Sequence, residues 1–396
     1  MTLAAPGSEQ RPPAALWSLA FRPFFLAAGI WAALALALWI GLLLYGGTLP
    51  SRFDPLTWHI HAMLFGFGFA AIAGFLLTAI PNWTGRAPIA GGPLLALAAL
   101  WLAGRIVGLV SALMPLWLAA AVDLAFPCAL CGVAAREIIA ARNWRNLAMP
   151  IPVAVLGIAD LLTYLELAGF NVAPGLGWRL AIVAVIALIS AIGGRIIPAF
   201  TRNWLVKRGA TKLPPASGTI DRIALAFLHA GLLGWAFFPA ADLVGVLLVT
   251  AALLNLWRLA RWRGFATVSE PLLAILHVGY AWLVIGAAML GVGVLTGAVP
   301  ESASIHAFTA GAIGAMVLAV MTRVARGHTG RPLEADHVTV VIYLLITAAG
   351  ATRVLAAWQS DPAGLLAASA ALWVASFGLF AASYGPVLLK PRIDVG

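Results

Sequence analysis

The stretch WHIHAMLFGFGFAAIAGFLLTAIPNWTGR, from Trp58 to Arg86, contains two features that decide the fold. Its apolar run has about the 20 residues that an α-helix needs to cross the hydrocarbon core of a bilayer. Two histidines, His59 and His61, lie in the first turns of this helix. Polar side chains inside a membrane are costly and usually functional, so both histidines are candidate site residues.

The whole chain shares this apolar character. Of its 396 residues, 63% are hydrophobic and 10% are charged, and the mean hydropathy is +1.00. A water-soluble fold cannot bury so much apolar surface, so the chain is predicted to lie in a lipid bilayer. The net charge of +10 therefore does not indicate a nucleic-acid partner. Two cysteines are too few for a disulfide framework.

Twelve apolar runs are long enough to span a membrane. We predict an all-α, polytopic domain over 16–390, with short cytoplasmic tails at 1–15 and 391–396. The predicted spans are 23–45, 57–80, 91–113, 115–138, 147–169, 178–198, 220–240, 241–260, 271–297, 303–325, 336–356 and 364–388.

Basic residues concentrate in alternate connections between these spans. One set holds Arg86, Arg136, Arg142, Arg145, Arg202, Lys207, Arg208, Lys212, Arg258, Arg261, Arg263, Arg323, Arg326, Arg331, Lys390 and Arg392. The opposite set holds little beyond Arg52, Asp54, Glu301 and Asp361. Because cytoplasmic loops collect Lys and Arg, this alternation predicts that both termini are cytoplasmic.

An internal repeat relates the second and tenth helices. HAMLFGFGFAAIAGFLLTAIPNWTGR from His61 aligns with HAFTAGAIGAMVLAVMTRVARGHTGR from His306, at an offset of 245 residues (306 minus 61). A weaker echo, IIPAFTRNW from Ile196, ends the sixth helix. Helices 2, 6 and 10 are four apart, which predicts three pseudo-symmetric arcs of four helices. Major-facilitator transporters repeat six plus six instead.

The repeat makes His61 and His306 the first metal-ligand candidates. Each lies about 5 Å below its predicted helix start, at matching depth. Imidazole is the usual axial ligand of haem iron and also binds copper. Two such ligands at equal depth can bracket a haem, so we expect His61 and His306 to face one another. The alternative for each is an interfacial histidine or a buried polar contact.

Three further histidines are candidates. His59 lies two residues from His61, about 200° around the helix, so it is expected to point away from His61. It then either serves a second site or has no ligand role. His229 (in FLHAGLLGW) and His277 (in ILHVGYAWL) lie at similar predicted depths in the inner half. They are candidates for a second haem or a copper ion.

Buried charge adds two cofactor-binding candidates. Arg105 and Asp123 lie nine residues either side of Met114, so a helical hairpin brings them to one depth, where an ion pair is expected. The alternative is that Arg105 or Arg52 faces haem propionates.

Several motifs together resemble the NnrS family. They are FRPFFL (Phe21–Leu26), WHIHAMLFGF (Trp58–Phe67), IAGFLLTAIPNWTGR (Ile72–Arg86), GGRIIPAFTRNW (Gly193–Trp204), LHVGYAWL (Leu276–Leu283) and HAFTAGAIGAMVLAVMTR (His306–Arg323). The resemblance implies a bacterial inner-membrane protein of twelve helices that carries b-type haem and copper. It also implies a role in protecting cells from nitric oxide.

The chain also bears a distant likeness to the catalytic subunit of haem-copper oxidases and nitric oxide reductases. There, too, twelve helices form three arcs, and helices 2 and 10 ligate a haem from the outer half. This chain departs from that pattern, since its sixth helix lacks a histidine and its seventh has only His229. The three-histidine copper site of those enzymes cannot be assembled in its usual place, so enzymatic turnover of nitric oxide is left undecided.

Three functions remain open at this point. The first is a haem protein whose iron meets nitric oxide or passes electrons from a donor. The second is a membrane transporter of a metal or metal–nitrosyl species that uses the histidines as transit ligands. The third is a metal sensor or scaffold without turnover.

Overall fold

Twelve helices long and apolar enough to cross a membrane form one bundle in the computed structural model, which describes residues 14–393 apart from the side chain of Arg145. They are α1 (Phe21–Tyr45), α2 (Pro55–Thr84), α3 (Gly91–Leu113), α4 (Leu116–Ala140), α5 (Pro150–Leu167), α6 (Leu176–Lys207), α7 (Thr219–Phe237), α8 (Asp242–Arg261), α9 (Pro271–Thr296), α10 (Glu301–His328), α11 (His337–Ala356) and α12 (Ala363–Leu389). No strand occurs in the described residues. The prediction of twelve spans is confirmed, whereas most of the two predicted tails lies outside the described residues.

Helices α2, α6 and α10 form the centre of the bundle. They contact one another pairwise, and 78%, 61% and 72% of their most apolar windows are buried, against 28–44% for the other nine. The remaining helices surround them, with α1 packed on α12, α4 on α5 and α8 on α9. The bundle therefore consists of three arcs, α11–α12–α1–α2, α3–α6 and α7–α10, each ending in a central helix.

The start of α2 is set by a helix cap. Asp54 precedes Pro55, and its Oδ1 accepts hydrogen bonds from the amides of Leu56 at 3.0 Å and Thr57 at 3.1 Å. Partial burial acts to raise the pKa of Asp54, but hydrogen bonds from Thr57 and Leu56 outweigh it and lower that pKa below its ordinary value. The cap is therefore ionised at neutral pH and holds the turn that presents His59 and His61.

The repeat predicted from the sequence has a structural counterpart. A π-helical segment covers Ala62–Gly68 in α2, and another covers Ala307–Ile313 in α10. The two segments are offset by 245 residues at both ends (307 minus 62 and 313 minus 68), which is the offset of the sequence repeat. Segments of this kind are rare and often lie at functional sites. Here each directly follows a histidine.

The sixth helix is longer than predicted. It was expected to end at 198, but it continues for more than two turns to Lys207 with Pro198 inside. Proline removes one backbone hydrogen bond and often ends a helix. Here Ile197, Thr201 and Leu205 are buried at four-residue spacing, so packing along one face stabilises the helix beyond the proline.

Candidate functional site

A cavity of about 440 Å³ lies in the arc formed by α11, α12, α1 and α2, and is closed by α6 and α10. Its volume falls in the range of roughly 300–1,000 Å³ that is usual for sites of small molecules and cofactors. The lining is mainly aliphatic and aromatic. The polar lining residues are His59, Glu301, Ser302, His306, Thr309, Arg353 and Ser369.

His306 lines this cavity, and one of its ring nitrogens is free to bind a metal. Its Nδ1 lies 2.7 Å from the carbonyl oxygen of Ser302, one turn earlier in α10. A carbonyl only accepts, so Nδ1 carries the proton and donates, and Nε2 keeps its lone pair. Metal-ligating histidines are oriented by this kind of bond from the second ring nitrogen.

His59 lines the same cavity from α2. Its ring stacks on Trp39 of α1, with centroids 4.9 Å apart and planes 17° apart. Its Nδ1 is buried and has no hydrogen-bond partner among the described residues. Counted at 1.5 Å per residue, His59 lies about 6 Å and His306 about 7.5 Å from their helix starts. Two imidazoles therefore reach one cavity at nearly equal depth.

Arg353 supplies a cation to the cavity wall. It lies near the end of α11, and its Nη2 donates to Oγ of Ser302 at 3.0 Å. Ser302 thus connects Arg353 to the turn that orients His306. This arginine belongs to none of the motifs and repeats noted in the sequence. The signal that could have found it is a charged residue inside an otherwise apolar span.

His61 points into a different compartment, as the helical spacing from His59 requires. Its Nε2 lies 3.0 Å from Oδ1 of Asp160 on α5 and 3.0 Å from Oδ2 of Asp123 on α4. The ring also stacks on Phe53, with centroids 4.7 Å apart. His61 is only 2% exposed, and it does not line the cavity that holds His306.

The expected facing of His61 and His306 is therefore wrong. The two residues are equivalent in the sequence repeat. The repeated helices, however, are related by rotation about the centre of the bundle, and this rotation superposes one compartment on another. Equivalent side chains then point into separate compartments, and His59 takes the place opposite His306. The sequence predicted the histidine-bearing turns but assigned the wrong partner.

The two arginines given as alternative partners of haem propionates make other contacts. Arg105 donates from Nη2 to Oδ1 of Asp123 at 2.5 Å, which confirms the expected ion pair and places the guanidinium beside His61. Arg52 lies in the loop before α2 and donates to the carbonyls of Ser111 and Met114. Neither lines the 440 Å³ cavity. Arg353 is the arginine that does.

His229 and His277 do not share a site either. Nε2 of His229 lies 2.9 Å from Oγ of Ser190, and Nε2 of His277 lies 3.0 Å from Oγ1 of Thr201. These two hydroxyl groups are eleven residues apart on α6 (201 minus 190), which is about 16 Å along the helix. The two histidines are therefore too far apart to hold one haem or copper ion together.

No curated protein matches the chain in sequence. The model of one family, described as NnrS protein, matches residues 15–392, which is nearly the whole chain. The match covers all twelve spans and both repeated histidine turns. The protein is therefore a multi-pass membrane protein that belongs to the NnrS family.

Proposed function

We propose that the protein binds haem in the cavity between α2 and α10 and acts in defence against nitric oxide and nitrosative stress. The observation that carries this proposal is that His59 and His306 reach one ligand-sized, mainly apolar cavity from two central helices. Haem needs an apolar pocket for its ring and imidazole nitrogens for its iron. The role in nitric oxide defence rests on the resemblance to the NnrS family described above.

The donor set fits haem in three respects. His306 has its Nδ1 engaged by Ser302, which leaves Nε2 for iron. His59 has a buried Nδ1 with no partner in the described part of the chain. Arg353 offers a guanidinium for a propionate, since arginine pairs well with carboxylates. When bound, a histidine-held haem supplies one-electron chemistry and, where a position is open, a site for a diatomic gas.

The proposal includes the bacterial inner membrane as the location, with both termini in the cytoplasm. The loops that follow α2, α4, α6, α8 and α10, with the segment after α12, contain most loop arginines and lysines. The loops on the other side contain one, Arg52. This asymmetry is what orients membrane proteins during insertion.

Copper, which the family resemblance also implies, has no three-histidine site here. Among residues 14–393, the one group of three potential metal ligands that come together contains a single histidine, His61. All seven histidines lie within that range. Reduction of nitric oxide at a haem paired with a three-histidine copper is therefore not part of the proposal.

The test is an absorption spectrum of the purified protein and two variants. The wild type is expected to show a Soret band, and His59→Ala and His306→Ala are each expected to shift or abolish it. His337→Ala is the matched control, because His337 is exposed at the start of α11 on the opposite side of the membrane. Adding nitric oxide to the reduced wild type then tests whether the iron binds the gas.

Two results would contradict the proposal. An unchanged Soret band in both cavity variants would mean that haem is held elsewhere. A protein that exchanges metal readily and shows no stable chromophore would favour the alternative, a transporter of a metal or metal–nitrosyl species.

A further inference from the structure

We propose that His61, Asp123 and Asp160 bind a divalent transition-metal cation, at a site separate from the haem cavity. The three side chains come from α2, α4 and α5, and their ligand atoms lie within 4.8 Å of one another. All three are 2% exposed or less. The site goes beyond the proposed function, because its residues do not line the cavity of His59 and His306.

The ligand atoms of the three side chains are spaced as they would be around one metal ion. Nε2 of His61 lies 3.0 Å from an oxygen of each carboxylate. One ring nitrogen carries at most one proton, so it donates a well-directed hydrogen bond to only one of them; Asp160 Oδ1 is the oxygen with suitable geometry. Ligands about 2.1 Å from a shared metal lie roughly 3.0–3.4 Å apart in octahedral or tetrahedral geometry. The two distances from Nε2 fit a central cation, and all the ligand atoms lie within 4.8 Å of one another.

One carboxylate oxygen of this group lacks a hydrogen-bond partner among the described residues. Oδ2 of Asp160 is buried and has no hydrogen-bond partner in the described structure, and Asp160 is fully buried. A buried carboxylate oxygen without a hydrogen-bond donor is costly, because it has lost its hydrogen bonds to water and no protein group replaces them. A cation held by Asp160 and its neighbours removes that cost.

Two neighbouring side chains hold the carboxylate of Asp123 in place. Arg105 donates to its Oδ1, and the hydroxyl group of Tyr164 donates to its Oδ2 at 3.0 Å. Both donors hold the carboxylate in one orientation, as outer-shell residues do at metal sites. Arg105 also offsets one of the two carboxylate charges. The arrangement that competes with metal binding is a protonated His61, which would offset the other carboxylate and make the group of four charges neutral.

The donor set selects the class of metal. One imidazole nitrogen and two carboxylate oxygens suit Zn²⁺, Mn²⁺, Fe²⁺ or Cu²⁺. They do not suit cuprous ion, which prefers sulfur, or Mg²⁺ and Ca²⁺, which prefer oxygen alone. His59 and His61 would then serve two sites on opposite sides of α2.

The experiment counts metal in purified protein that has been stripped with a chelator and reloaded. Elemental analysis after loading with Zn²⁺, Mn²⁺, Fe²⁺ or Cu²⁺ separates the candidate metals, and loading with Co²⁺ adds a visible absorption band from the bound ion. The wild type is expected to bind one equivalent beyond haem iron. Asp160→Asn is expected to lose that equivalent, and Tyr164→Phe, a positioning variant, to weaken binding roughly 10–100-fold.

The controls separate this site from the haem site and from general damage. Asp221→Asn removes another buried carboxylate, which pairs with Arg258 at 2.9 Å in the third arc, and is expected to keep the metal. His306→Ala is expected to shift or abolish the Soret band yet keep the metal. Absence of the extra equivalent from the wild type, or its retention in Asp160→Asn, overturns the proposal. The wild-type count decides the matter if Asp160→Asn does not fold.

Discussion

His59 and His61 are two residues apart on α2, and that spacing turns their side chains about 200° apart around the helix. His59 lines the 440 Å³ cavity, while His61 lies between two aspartates in the next arc. The prediction that they point apart is confirmed. The sequence could not say which one faces His306, because a helical wheel gives relative directions and not the direction of the bundle centre.

Arg353 is the residue at which we expect charge to matter most for haem affinity. Hydrogen bonds that involve a charged group contribute about 1.5–3 kcal/mol, which corresponds to roughly 10–150-fold in affinity. Arg353→Gln is therefore expected to raise the haem dissociation constant by about that factor. Haem transfer from the purified protein to an excess of a scavenger protein measures the change.

Arg353→Lys is the matched variant for this prediction, because it keeps the charge but loses the forked geometry of the guanidinium. It is expected to lie between the wild type and Arg353→Gln. Equal haem release from all three proteins would show that the arginine does not contact the propionates.

At the scale of elements, the two π-helical segments are bound to their neighbours in a similar way. In α2, the carbonyls of Ala62 and Gly66 accept hydrogen bonds from the indoles of Trp31 and Trp101, each at 2.9 Å. Gly66 and Gly311, which correspond in the repeat, each lie against an indole ring, from Trp31 on α1 and Trp282 on α9. Close approach of a tryptophan requires glycine at both positions.

We therefore expect Gly66→Ala and Gly311→Ala to be destabilising. An added methyl group would lie closer to the indole atoms than van der Waals radii allow, and overpacking of this kind costs about 1–3 kcal/mol. Gly41→Ala is the control, because a methyl group there meets nothing within 4 Å. Thermal unfolding in detergent measures the difference, and equal midpoints for all three variants would contradict the prediction.

At the scale of the whole molecule, each arc and the central helix beside it enclose one polar compartment. The first contains His59, His306 and Arg353, and the second contains His61 with Asp123 and Asp160. The third contains a network of Arg258, Asp221, Asn255 and Tyr280. The arcs are related by repetition, but their polar residues differ, so one architecture contains three chemically different polar compartments.

The proposed orientation in the membrane is tested at this scale. Asp361 is exposed in the loop between α11 and α12, and Lys212 is exposed in the loop between α6 and α7. In a background with Cys128→Ala and Cys131→Ala, Asp361→Cys is expected to react with a membrane-impermeant maleimide in intact spheroplasts. Lys212→Cys is expected to react only after the membrane is opened. The reverse pattern would place both termini outside.

The sequence by itself determined the number of spans, most of their limits and the repeat between α2 and α10. A helix needs about 20 consecutive apolar residues to cross the hydrocarbon core of a bilayer, and such a run can be recognised from the local sequence alone. The extension of α6 to Lys207 was not predicted, because packing beyond Pro198 stabilises it.

Apart from the ion pair of Arg105 with Asp123, which the hairpin spacing predicted, only the tertiary structure decided which polar side chains meet. Asp123, Asp160 and His61 come from three helices, and His59, His306 and Arg353 come from three. The rotation of each helix about its own axis is set by packing against its neighbours, and no local pattern encodes it. The repeat signalled equivalent positions, and rotation about the bundle axis then placed the equivalent histidines in different compartments.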